Sequence, residues 1–228
     1  PLAKLLIAAG ASLTDVDSDY HSALFVAVTP PLLGTPRSED ATAEMVRCLI
    51  AAKSPLFIEG ETPESDDIPV SAVPINRGFT TVLRALVSPF TDADGRLVVT
   101  PEWFRYRTLL LAVYAEKWDM VRLISNNFNV NYNPAGDDTI SAQQRKGYLP
   151  ALCMVFNIRG LRSKAPAISV LASQGAEVEQ KAINGMSPIG FAVRNNEPSS
   201  VNVLLNLGAP IQHEIVVYPD GKKLPLLV

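Results

Sequence analysis

Apolar positions in the stretch 182–211 fall at helical spacing and are interrupted by turn residues at regular points. Val201, Leu204 and Leu205 stand at i, i+3 and i+4, which places them on one face of a helix that Pro198 opens and Gly208 ends as a left-handed cap. Upstream, Ser187-Pro188 predicts another helix start: the hydroxyl can accept from free N–H groups, and proline fits the first helical position. Asn195-Asn196 breaks that helix, because asparagine tolerates the left-handed conformation. Asn184-Gly185 predicts a tight turn before it. The pattern is turn, short helix, turn, longer helix and Gly-Ala. Such a unit cannot bury its apolar face alone.

This unit resembles an ankyrin repeat, whose signature is Thr-Pro-Leu-His-x-Ala in a period of roughly 33 residues. Ser187-Pro188-Ile189-Gly190-Phe191-Ala192 stands at the signature, with Gly190 in place of the histidine. Gly175-Ala176 and Gly208-Ala209 lie 33 residues apart, one period.

The rest of the chain reads as variations on the same unit. Leu2, Leu5 and Leu6 form an apolar stripe closed by Gly10-Ala11, the second half of a first repeat. In repeat two, Ser22-Ala23-Leu24-Phe25-Val26-Ala27 holds the signature position, and Met45, Val46, Cys48, Leu49 and Ile50 mark the second helix. Residues 29–42 are inserted between its helices, and Lys53-Ser54 replaces Gly-Ala. Repeat three is the least regular: 68–73 is expected as its first helix, Gly78 as the break, and Val82, Ala85 and Leu86 as the buried face. Repeat four has Thr108 to Val113, then Met120, Val121, Leu123 and Ile124, with Asn127 expected in the capping role. Repeat five has Ala151 to Phe156, a break through Arg159-Gly160, and Ile168, Val170 and Leu171. Beyond repeat six, Leu224-Pro225-Leu226 reads as a seventh signature cut within its helix.

Signature positions Ala23, Ile68, Thr108, Ala151, Pro188 and Pro225 are separated by 45, 40, 43, 37 and 37 residues, so every repeat carries insertions. HEAT-like helix pairs, with a period of about 40–47, are the alternative. The Gly-Ala caps and the Ser-Pro helix start favour the ankyrin pattern. The expected fold is an all-α ankyrin-like solenoid of stacked helix-turn-helix units joined by β-finger or loop connections. A single array over residues 1–228 is expected, with about five full repeats and partial ones at both ends, excised from a longer chain.

Composition narrows the function classes. The 228-residue chain has a net charge of −3, which gives no global attraction to nucleic acid or anionic lipid. Its two cysteines cannot form a disulfide framework, which favours an intracellular setting, cytoplasmic or nuclear. No apolar run approaches the roughly 18 residues of a membrane helix, so membrane insertion is not expected.

Long connections at 57–67, 89–107 and 132–148 give the chain its individuality. The resemblance places such connections in fingers beside a concave face, where partners of this family bind. The first holds Glu59, Glu61, Glu64, Asp66 and Asp67, which reads either as a patch for a basic partner or as a hydrated loop. The second ends in Trp103-Phe104-Arg105-Tyr106-Arg107, which reads either as an aromatic–arginine contact surface or as core closure under the finger. Val26, Leu111, Met154 and Phe191, each just before the alanine position, are expected to pack. Thr29, Tyr114, Asn157 and Arg194 just beyond are expected to be exposed. The resemblance therefore implies a partner-binding set of Tyr20, His21, Arg105, Tyr106, Arg107, Tyr114, Tyr148, Asn157 and Arg194.

Other chemistries fit poorly. A calcium loop centred on Gly95 would put Phe90 and Pro101 where carboxylates are required, and Asp15-x-Asp17-x-Asp19 has Tyr20 where glycine must turn. Cys48, Cys153, His21 and His213 lack zinc-ligand spacing, and no phosphate-binding glycine loop occurs. Both thiols are expected to be buried and inert. The expectation is thus a non-catalytic protein-interaction scaffold with no metal or cofactor and no nucleic-acid partner. The alternative is a regulatory or substrate-recruiting ankyrin segment of a larger multidomain enzyme.

Overall fold

Serine hydroxyls start three helices, two where the local sequence predicts and one, at Ser38, inside the stretch 29–42 expected as an insertion. Ser22 Oγ accepts from Phe25 N at 3.3 Å, Ser38 Oγ from Ala41 N at 3.2 Å, and Ser187 Oγ from Gly190 N at 3.4 Å. The structure, a computed structural model, describes residues 2–18, 21–29, 38–58, 68–138, 149–211, 215–217 and 222–225. The chain divides into two compact units, Pro1–Leu111 and Ala112–Val228.

The first unit contains α1 (Leu2–Ala8), α2 (Ala23–Val28), α3 (Glu39–Ala51), α4 (Ala72–Arg77), α5 (Thr80–Val87) and the start of α6 (Glu102–Tyr114). Helices α1, α3 and α5 lie side by side, with α2 packed on α3 and α4 on α5. Leu24, Val46, Ile75, Val82, Leu83 and Leu86 fill the space between them. Antiparallel fingers connect the pairs: β1 (Phe57–Ile58) with β2 (Ile68–Pro69), and β3 (Phe90–Thr91) with β4 (Leu97–Val98). A bridge between Val16 and Ser22 marks a shorter one.

In the second unit α7 (Trp118–Ser125), α9 (Ala165–Ser173) and α11 (Pro198–Asn206) form one row. Helices α8 (Ala151–Met154) and α10 (Pro188–Arg194) pack against each other, on α9 and α11 respectively. A finger of β5 (Ile215–Val217) and β6 (Lys223–Pro225) follows. Each unit therefore repeats one helix pair beside the next, an all-α ankyrin-like solenoid.

One main-chain device closes these helices. Gly175 N donates to Ala172 O and Ala176 N to Leu171 O, while Gly208 N donates to Leu205 O and Ala209 N to Leu204 O. The two Gly-Ala pairs thus end equivalent, neighbouring hairpins, with glycine φ of +90° and +84°. Lys53-Ser54, which departs from Gly-Ala in sequence, makes the same bonds to Ile50 O and Leu49 O with Lys53 at φ +65°. Glu116 and Asn196 adopt φ of +52° and +53° at the ends of α6 and α10.

Side chains also tie one repeat to the next within each unit. Glu39 Oε1 on α3 accepts from Thr81 N at 2.6 Å and Val82 N at 3.4 Å, capping α5 where Phe79 has no side-chain acceptor. Asn131 Nδ2 donates to Gly175 O at 3.0 Å, and its Oδ1 accepts from Glu177 N at 2.8 Å.

Several sequence expectations require correction. Residues 68–69 are strand, and the first helix of repeat three is 72–77, because finger pairing claims the first two positions. Helix α6 starts at Glu102, six residues before the Thr108 signature position, so the second finger is shorter than 89–107. Asn127 is not left-handed; its Nδ2 donates to Leu123 O instead. Residues 223–225 pair in a strand rather than opening a helix. Leu5 and Leu6 are 66% and 51% exposed rather than buried. The acidic segment 59–67 lies outside the described residues.

Candidate partner-binding surface

The early start of α6 decides the fate of the aromatic–arginine run. Four consecutive residues, Trp103, Phe104, Arg105 and Tyr106, are buried, so the helix is covered on all sides there. Trp103 and Tyr106 stack one turn apart at 5.9 Å, and the Arg107 guanidinium lies 5.5 Å from the Trp103 ring centre. Arg105 is 8% exposed and Tyr106 wholly buried, which corrects their expected place at a finger tip: they close the core. Burial lowers the pKa of Arg105, and the nearby Glu102 carboxylate opposes that shift. Arg107 is half-buried.

His21 stays on a finger. Its backbone N–H donates to Asp17 Oδ1 at 2.9 Å, its Nδ1 lies 3.4 Å from Asp17 Oδ2, and its ring stacks on Phe25 at 4.3 Å. It is half-buried and held on two sides. Tyr20 and Tyr148 lie outside the described residues.

Of the four helix-end positions expected to be exposed, two are exposed and two are half-buried. Tyr114, at the last turn of α6, is 61% exposed. Asn157, in the turn after α8, is exposed, and Arg194 at the end of α10 is half-buried with its guanidinium 4.9 Å from the Phe191 ring centre. Thr29 is half-buried because its hydroxyl donates to Phe25 O at 2.9 Å. Tyr114 and Arg194 thus end their helices and Asn157 lies in the turn beyond α8, each six residues on from Thr108, Pro188 and Ala151 respectively.

Positions just before the alanines vary more than expected. Phe191 is buried, Leu111 and Met154 are half-buried, and Val26 is 48% exposed. Sequence reasoning also missed Leu97 and Ile183, which are 71% and 83% exposed on fingers. Ile183 directly precedes Asn184-Gly185, and a large aliphatic residue at a tight-turn tip was the available signal.

The remaining chemistry is sparse among the described residues. Burial pushes the Cys153 thiol up to about 12, so it is protonated at neutral pH. Cys48 is half-buried rather than buried. It lies in a groove of about 460 Å³ in the first unit between α1, α3 and the β3 finger, where Lys4 and Arg47 both pair with Glu44. No group of His, Cys, Asp and Glu among the described residues is arranged to hold a metal, and no described helix is long and apolar enough to cross a membrane.

Neither a protein-family model nor a curated protein matches the sequence. Solved structures do match in shape. The ankyrin repeat domain of Bcl-3, of the IkappaB protein family, superposes with a TM-score of 0.52 at 19% identity over 97% of this chain and 83% of its own. An ankyrin repeat domain from Acinetobacter baumannii AYE gives 0.51 at 16% identity over 92% of both chains. The ankyrin repeat protein EF0377 gives 0.50 at 16% identity, covering 89% of this chain and 88% of that one. With matching caps, helix pairs and fingers on one side and these superpositions on the other, the chain has the ankyrin-repeat fold.

Proposed function

We propose that residues 1–228 form one ankyrin-repeat array that acts as a non-catalytic, intracellular protein-interaction module, holding a protein partner on its inner helices and fingers. The observation that supports this reading is that Tyr114, Asn157 and Arg194 each stand six residues on from the signature positions Thr108, Ala151 and Pro188, with Tyr114 61% exposed and Asn157 exposed. Tyrosine and arginine supply large contact area and are enriched among residues that dominate binding energy. Stacked helix pairs hold them on a rigid frame, which lowers the ordering cost of association. The unbridged thiols of Cys48 and Cys153 accord with a reducing compartment.

Affinity capture with mass spectrometry tests the surface. The full chain is compared with a variant carrying Tyr114→Ala, Asn157→Ala and Arg194→Ala, after its thermal midpoint is shown to match the parent. Partners held by the parent should be lost from the variant; undiminished capture refutes this surface.

A further inference from the structure

The loop joining α8 to α9 carries charge of one sign. Residues 157–164 include Arg159, Arg162 and Lys164 and no carboxylate, in a chain whose net charge is −3. Lys164 is neutralised by Glu197, with Nζ to Oε1 at 2.9 Å. Arg159 and Arg162 are exposed and form no ion pair among the described residues.

This loop is docked on the preceding repeat. Arg162 N donates to Glu116 Oε1 at 3.2 Å, which anchors its far side on a carboxylate. Gly160, at φ +90°, lies beside the exposed Tyr114 ring: a methyl group added there would sit in ordinary contact, 4.0 Å from Cε2. Exposed Lys117 follows Glu116 directly. Arg159 and Arg162 thus stand on a loop that lies against an exposed tyrosine, with Lys117 exposed three residues further along the chain from that ring.

We infer that this surface, Tyr114 with Arg159, Arg162 and Lys117, recognises an acidic peptide segment of a protein partner, with carboxylates on either side of an apolar residue. This inference rests on the proposed interaction function and adds the partner's chemistry. Guanidinium groups pair with carboxylates in a fork geometry, and cationic rims set partner choice and association rate more than total affinity. The tyrosine ring supplies the apolar contact between them. Burying carboxylates without such cations is costly, so neutral or basic segments are disfavoured at this spot.

The test is selection of a random dodecapeptide display library on the full chain. Enriched peptides are synthesised with a fluorescent label and titrated against the parent, Arg159→Glu/Arg162→Glu, Arg159→Ala/Arg162→Ala and Tyr114→Ala. The expected result is enrichment of peptides with two or more Asp or Glu around an apolar residue. Their Kd should rise at least tenfold in both arginine variants, most in the charge reversal, and weaken from 50 to 200 mM salt. A neutral or basic consensus, or acidic peptides bound equally by both arginine variants, overturns the acidic partner. If such peptides are still lost with Tyr114→Ala, the inner-helix surface stands and only the partner's chemistry falls. Peptides indifferent to every variant, or no enrichment at all, overturn both readings. A labelled single-stranded oligonucleotide that displaces the peptide at lower concentration replaces the peptide assignment with nucleic acid.

Discussion

Removing the side chain of Asn131 should loosen one repeat from the next at a definable pair of bonds. Nδ2 donates to Gly175 O at 3.0 Å and Oδ1 accepts from Glu177 N at 2.8 Å. Asn131 is half-buried while Gly175 and Glu177 are exposed, so water can replace both partners in Asn131→Ala. Each bond is then worth its net contribution of about 0.5–1.5 kcal/mol rather than a desolvation penalty. The expected loss is about 1–3 kcal/mol, which for a chain of this size lowers the melting midpoint by roughly 2–12 °C. Asn131→Asp keeps the acceptor for Glu177 N but points a second oxygen at Gly175 O, so it should fall between the parent and alanine. The sharper assay is amide hydrogen exchange at Glu177, whose N–H is held by this one side chain. Asn131→Ala should accelerate it about tenfold or more, a factor of ten corresponding to about 1.4 kcal/mol. Unchanged exchange at Glu177, or a stability loss below about 0.3 kcal/mol, would refute the role assigned to this side chain.

Other consequences can be checked on the same preparation. Gly175→Ala should cost about 1–2 kcal/mol through its left-handed backbone alone, because no atom lies within 4 Å of the added methyl group. Lys53→Gly, at φ +65°, should be neutral or stabilising by up to about 1 kcal/mol; denaturant midpoints measure both. Glu39→Ala should destabilise by about 1–2 kcal/mol in the same denaturation, since the first amides of α5 lose their acceptor. Cys153 has its thiol raised to about 12 by burial, so above about pH 9 the unfolded chain releases the proton while the folded chain keeps it. Stability should therefore fall with rising pH over that window, and the dependence should weaken in Cys153→Ala in a urea series at pH 8 to 10.5.

What the sequence made legible was the chemistry confined to neighbouring residues. Ser22 and Ser187 announce helix starts because their hydroxyls bond amides three residues on, and Asn196 announces a break because it tolerates a positive φ. The Gly-Ala spacing made the repeat type readable through residues 175–209. Less visible were features decided by distant neighbours. The six residues before Thr108 mix three charged with three aromatic side chains and show no clean apolar stripe, so their sequence does not tell a buried helix from a finger with aromatic tips; the surrounding core decides it. That one misplacement took Arg105 and Tyr106 from the binding set into the interior. Lys53 and Glu116 turn as a glycine would without any letter that announces it, whereas Asn127, which has the right letter, does not turn. The exposure of Tyr114 and Asn157 was readable by counting forward from a helix start, whereas Arg194, at the same count, is half-buried over the Phe191 ring.

The closing turns at Lys53, Gly175 and Gly208 spend the same two main-chain bonds whatever residue occupies the corner. Their shape is therefore insulated from the choice of residue: a lysine there costs a modest local distortion, and the two bonds still form. Loops between such fixed corners are free to lengthen or change character without disturbing how helices meet. A chain built this way can lose most of its ancestral spelling and keep its outline, so that new recognition surfaces arise by swapping connecting segments on an unchanged frame.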